Sequence, residues 1–168
     1  MRAMIPRFLW LVAVMLVQWL LVQGLPLSRF GNPYLYLWFF LWLPYGTSKP
    51  SLYLLAFIVG STMDSFEGSG GAHTIASLML VLFKPVVENA LIGFRKSDNE
   101  ESLANLALGS YLAPAALLVL IHHFTLFAME SYGFFPLSEL ILRTVVSTVS
   151  TVVLLSIAHI LFSKRYAA

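Results

Sequence analysis

Asp64, His73, His122, His123, Glu139 and Arg143 are the side chains here whose types could do chemistry, and each interrupts or borders a long apolar run. Polar groups in such a setting are costly and tend to pair with one another. The spans that carry them put these six and Glu130 at similar depth, near one face of a membrane. One reading is a ligand site open to that face. The preferred reading is an internal packing network, because structural ion pairs have the same composition. Glu139 and Arg143 are four apart with the acid first, the favourable order for a pair within one helix. Lys84 and Glu88 are four apart in the reverse order. Pro85 frees the carbonyl of Val81, so that carbonyl and Glu88 are both candidates to meet Lys84.

Enzyme chemistry finds little support. Adjacent His122 and His123 diverge by about 100° on a helix. A metal site wants spacing of three or four with carboxylate or Cys support. Gly68-Ser69-Gly70 is a glycine-flanked serine, a weak signal whose base would have to be His122 or His123. An aspartyl enzyme needs two carboxylates at one depth, and Asp64 is the one aspartate in a span. There is no phosphate-binding or dinucleotide glycine motif. Cysteine is absent, which removes disulfides, thiol nucleophiles and thiolate metal sites. The expectation is no enzyme, no metal and no cofactor.

The elements that position these residues are membrane helices. Of 168 residues, 59% are hydrophobic and 11% charged, whereas a soluble domain is about 25% charged. The fold class expected is all-α, a polytopic membrane protein of one domain over 1–168, with about six spans. The first covers about 8–23. It follows Arg2 and Arg7 as a signal peptide would, but Gln23-Gly24-Leu25-Pro26 offers no small-x-small cleavage site, so it is read as an uncleaved span. Residues 34–44 and 51–64 are short, about 16 and 21 Å as helices against a core about 30 Å thick. They are either two short spans or a re-entrant hairpin. Two spans are favoured, because a hairpin puts Lys49 near the midplane. Spans four, five and six cover about 71–94, 103–129 and 137–162. Asp98 and Glu101 fit a capping box before span five.

Six spans leave both termini on one side. If that side is cytoplasmic, Arg2, Arg7, Lys49, Arg95, Lys96, Lys164 and Arg165 fall inside and Arg29 alone outside, a strong positive-inside bias. Basic residues punctuate span ends and form no soluble face, so membrane lipid is the expected surroundings and nucleic acid is not. Trp10, Tyr45 and Tyr166 fall at the inner interface, and Tyr34 and Tyr132 at the outer one. His159 falls where span six meets headgroups. Span six carries Thr144, Ser147, Thr148, Ser150 and Thr151, small polar residues suited to close helix contact, within the protein or with a partner helix.

Asp64 ends a helix at its negative pole, and His73 opens the next at its positive pole. Neither suits its own helix. Donors from other spans would resolve this, and His122, His123 or Arg143 are expected to bond Asp64 and lock spans three, five and six.

Gly60-x-x-x-Asp64-x-x-x-Gly68, the Gly71-Ala72-His73 opening and the apolar helix with Lys84-Pro85 resemble the rod shape-determining protein MreD family. Leu120-Ile-His122-His123 and Glu130 add to the likeness, which covers about 33–133. Members usually carry arginine where this chain has Lys84, a change that alters any bidentate contact. The resemblance implies a non-enzymatic scaffold of the bacterial cell-elongation complex in the inner membrane. It implies direct binding to the single-span partner MreC, and assembly with the peptidoglycan glycosyltransferase RodA, its transpeptidase partner and a cytoplasmic actin-like filament. The family is also similar in architecture to substrate-binding subunits of vitamin transporters, so the alternative is a small-molecule-binding transporter subunit.

Overall fold

A computed structural model describes residues 11–20, 31–93, 101–134 and 136–162. The ends of span one, the Asp98 cap and the charges at Arg2, Arg7, Arg29, Arg95, Lys96, Lys164 and Arg165 lie outside the described residues. Every described element is helical: α1 Leu11–Leu20, then α2 Leu37–Trp42, α3 Lys49–Glu67, α4 Ala72–Ile92, a 3-10 turn Leu103–Asn105, α5 Leu108–Ser131 and α6 Leu137–Phe162. Helices α4, α5 and α6 are long and apolar enough to cross a membrane. Consecutive helices from α3 to α6 pack side by side. Their turns alternate between a Gly68 end and a Glu101 end, where Tyr45 N–H bonds the Glu101 carbonyl at 2.9 Å.

Helix α3 is longer than the sequence suggested at both ends. Ser48 caps it, accepting from Ser51 N–H at 3.4 Å, and Pro50 lies in its first turn, where the missing N–H costs nothing. It passes Asp64 by almost a turn and stops at Gly68 with φ 67°, a left-handed value that suits glycine. Lys49 therefore lies exposed at the Glu101 end. Helix α5 starts later than expected, at Leu108. Ahead of it, Asn105 Oδ1 accepts from the Ser102 N–H and hydroxyl at 3.0 and 2.8 Å.

Residues 31–45 form neither a lipid-facing span nor an open hairpin arm. Only six of them are helical, and Tyr34, Leu37, Phe40 and Leu41 are buried among the other helices. This segment is a plug inside the bundle. Backbone outside a regular helix is tolerated at membrane depth only when protein surrounds it and its polar groups find partners. Several of the plug's backbone groups are met by side chains of the surrounding helices. Gln18 takes the Leu35 N–H at 2.6 Å and gives to the Pro33 carbonyl at 3.2 Å. Thr151 Oγ1 accepts the Tyr34 N–H at 2.9 Å. Lys84 Nζ gives to the Leu43 carbonyl at 3.1 Å.

The headgroup contact expected for His159 is corrected. Tyr34 is buried with the plug. His159 is buried too, hydrogen-bonded to the Leu106 carbonyl at 2.9 Å and stacked on Tyr111 at 4.0 Å between ring centres. Tyr132 is 71% exposed. The Ser/Thr stripe of α6 turns inward. Ser147 and Thr151 are fully buried, and a Cβ on Gly31 would lie 2.5 Å from the Ser147 hydroxyl. Ser147 and Thr151 serve contact with the plug and its approach, so they are closed to a partner helix.

Candidate functional site

The polar residues near the Gly68 end divide into three units. The first is a clamp between α3 and α4. Asp64 Oδ1 accepts the His73 N–H at 2.8 Å and the Ser69 hydroxyl at 2.5 Å. Its Oδ2 accepts the Thr74 N–H at 3.0 Å and the Thr74 hydroxyl at 2.5 Å. The expectation that His122, His123 or Arg143 would bond Asp64 is corrected. The carboxylate reaches over the tight turn and caps α4, whose own N-cap residue is Gly71 at φ 101° and brings no side chain. A carboxylate is favoured at that positive pole. Gly60 completes the clamp, because a Cβ there would lie 2.5 Å from Thr74 Cα and 2.9 Å from the His73 carbonyl. The α3 and α4 backbones touch at this point.

Asp64→Ala is expected to cost about 0.5–2 kcal/mol in the cap, with a lower melting temperature in detergent. Asp64→Asn keeps an acceptor and should fall between. Equal melting of alanine and asparagine variants would argue that the charge alone matters and that the cap does not.

The second unit is a buried aromatic and imidazole cluster. His73 Nε2 meets Glu67 Oε2 at 3.2 Å. The Tyr36 hydroxyl lies between His73 Nδ1 at 3.0 Å and His122 Nε2 at 2.7 Å. The Tyr34 hydroxyl gives to Glu67 Oε2 at 3.3 Å. His123 Nδ1 meets the Thr148 hydroxyl at 3.2 Å, and its ring stacks on Phe127 with centres 6.0 Å apart. Both nitrogens of His73 are committed, so it has no lone pair free for a metal. Tyr36 and Glu67 escaped the sequence reading, and Tyr34 was read only as an interfacial aromatic. The two tyrosines sit in a segment read as a span, and Glu67 was placed in the loop beyond Asp64.

The third unit is an ion pair between helices. Arg143 Nη2 bonds Glu130 Oε2 at 3.3 Å, and its guanidinium lies 4.7 Å from the Phe127 ring centre. The expected Glu139–Arg143 pair within α6 is corrected. Glu130, at the end of α5, reaches the guanidinium across the α5–α6 contact.

Lys84 and Glu88 lie apart from these units, toward the Glu101 end. They form the expected pair one turn apart on α4. The second bond of Lys84 goes to Leu43 and not to Val81, and its ammonium lies 5.6 Å from the Tyr45 ring centre.

The class defined is an all-helical protein with helices of membrane-crossing length around a polar interior. Compared with protein-family models, curated proteins and solved structures, the chain matches none.

Proposed function

We propose that this chain is a non-enzymatic scaffold of the bacterial cell-elongation complex in the inner membrane. It binds MreC directly and shares an assembly with RodA and its transpeptidase partner. In this reading the chain crosses six times with both termini cytoplasmic, and residues 31–45 make the second crossing inside the protein. The observation that carries the reading is the use made of the resemblance residues. Gly60, Asp64, Gly68, Gly71 and His73 build the α3–α4 clamp, and Lys84 holds the plug. Polar side chains that hold backbone and neighbouring helices suit a platform better than a reaction centre. Helix α6 packs against α5 and turns Ile141, Val145, Val149, Val153 and Ile157 outward. That face is assigned to the MreC helix.

The test is capture of MreC from detergent-solubilised membranes. Val149→Trp with Val153→Trp should weaken capture without loss of the scaffold. A chain that recovers no MreC at all overturns the reading. Orientation is checked in the cysteine-free background. Gly46→Cys should label from the cytoplasm, and Phe134→Cys, at a position 87% exposed, from the opposite side. The reverse pattern would refute the assigned sidedness.

The transporter-subunit reading keeps one observation in its favour: Tyr34, Tyr36 and Phe127 converge on the histidines. Those rings are themselves buried and fill the space a ligand would need.

A further inference from the structure

Glu67, His73, Tyr36 and His122 make a continuous chain of hydrogen bonds at 3.2, 3.0 and 2.7 Å. A tyrosine hydroxyl carries one proton. Tyr36 can therefore donate to one imidazole and must accept from the other. That condition fixes every proton in the chain. With Glu67 ionised, His73 Nε2–H donates to it and His73 Nδ1 is bare. Tyr36 O–H then donates to Nδ1, His122 Nε2–H donates to Tyr36, and His122 Nδ1 is a bare lone pair. With Glu67 protonated, each bond reverses and His122 Nδ1 carries the hydrogen. The two forms differ by one proton and by the direction of every bond between.

We infer that these four side chains are a proton relay linking the Glu67 carboxyl to Nδ1 of His122 in the bundle interior. When a proton from hydronium bonds to His122 Nδ1 and leaves water behind, the Nε2–H proton passes to Tyr36 oxygen. The Tyr36 proton passes to His73 Nδ1, and the His73 Nε2–H proton passes to Glu67, whose carboxylate becomes a carboxyl. The reverse sequence returns one proton from Glu67 to water at Nδ1. Two features support the ends of the relay. The Glu67 side chain is 12% exposed, whereas His73 is fully buried. His122 Nδ1 and, beside it, His123 Nε2 are buried without a hydrogen-bond partner among the described residues, and buried polar atoms of this kind bind ordered water.

Other groups face the relay from each element around it. They are Asp64 on α3, Tyr34 on the plug, His123 and Glu130 on α5, and Arg143 on α6. The relay stands apart from the scaffold reading and needs no partner.

The experiment is nuclear magnetic resonance on the full chain in nanodiscs, with 15N-labelled histidine and 13C-labelled glutamate. As Glu67 titrates, His122 should switch from the Nε2–H to the Nδ1–H tautomer with the same midpoint. In Tyr36→Phe, Glu67 should still titrate while His122 keeps one tautomer throughout. A native His122 that holds one tautomer across the Glu67 titration overturns the relay, whether or not Tyr36→Phe folds. A switch that persists in Tyr36→Phe overturns it as well.

Discussion

Lys84→Ala is expected to lower stability by about 3–5 kcal/mol, the cost of leaving one member of a buried pair uncompensated. Lys84 is 1% exposed and Glu88 6%. Without the ammonium, the Glu88 carboxylate faces apolar neighbours, and the Leu43 carbonyl loses its side-chain donor. The two losses can be separated. The pair itself lies within α4 and can form before the bundle assembles, so it adds little to tertiary stability. The bond to Leu43 is tertiary, and its loss strands a buried carbonyl at about 1–3 kcal/mol. Lys84→Met with Glu88→Leu removes both charges at similar volume and should recover most of the deficit, leaving the Leu43 part. Detergent unfolding of Lys84→Met, Glu88→Leu and the double variant forms the cycle. A double variant no more stable than Lys84→Ala would show that the charge left behind is not the cause.

Gly60→Val is expected to separate α3 from α4. Even a methyl group at Gly60 meets backbone atoms at 2.5 and 2.9 Å, and backbone cannot rotate away as a side chain can. Overpacking costs about 1–3 kcal/mol for added methylenes. Valine exceeds alanine here because its branch also points into the contact. The loss spreads, because a shift of Thr74 also lengthens the 2.8 and 3.0 Å bonds from the His73 and Thr74 N–H groups to Asp64. Gly60→Val and Asp64→Ala should therefore be non-additive, the double variant melting close to the worse single one. Strict additivity of the melting shifts would mean that the close approach and the cap act separately.

Helix α6 was legible in the sequence because the stretch from Leu137 to Phe162 is long and apolar enough to cross a membrane despite Glu139 and Arg143. The Lys84–Glu88 pair was legible because it is local. The plug was not. An apolar run of eleven residues looks the same whether lipid or protein surrounds it, and the partners of this one lie on α1, α4 and α6. The Asp64 bonds were missed for another reason. Its helix dipole was weighed at the end of α3, whereas the carboxylate acts on α4, nine and ten residues ahead. Only the three-dimensional path of the glycine turn brings that pole into reach. Arg143 pairs with Glu130 through the packing of α5 on α6, which no spacing rule contains.

The plug also sets a schedule for synthesis. The Tyr34 N–H waits for Thr151, 117 residues later in the chain, and the Leu43 carbonyl waits for Lys84, 41 residues later. At about 5–20 residues per second, a ribosome leaves Tyr34 without its acceptor for on the order of ten seconds. Unpaired backbone groups in hydrocarbon cost several kcal/mol each, so if residues 31–45 make the proposed second crossing they cannot settle at depth during that interval. On the proposed six-span reading, the nascent segment waits outside the hydrocarbon until α6 emerges. The plug, made early, is thus among the last segments to gain its partners.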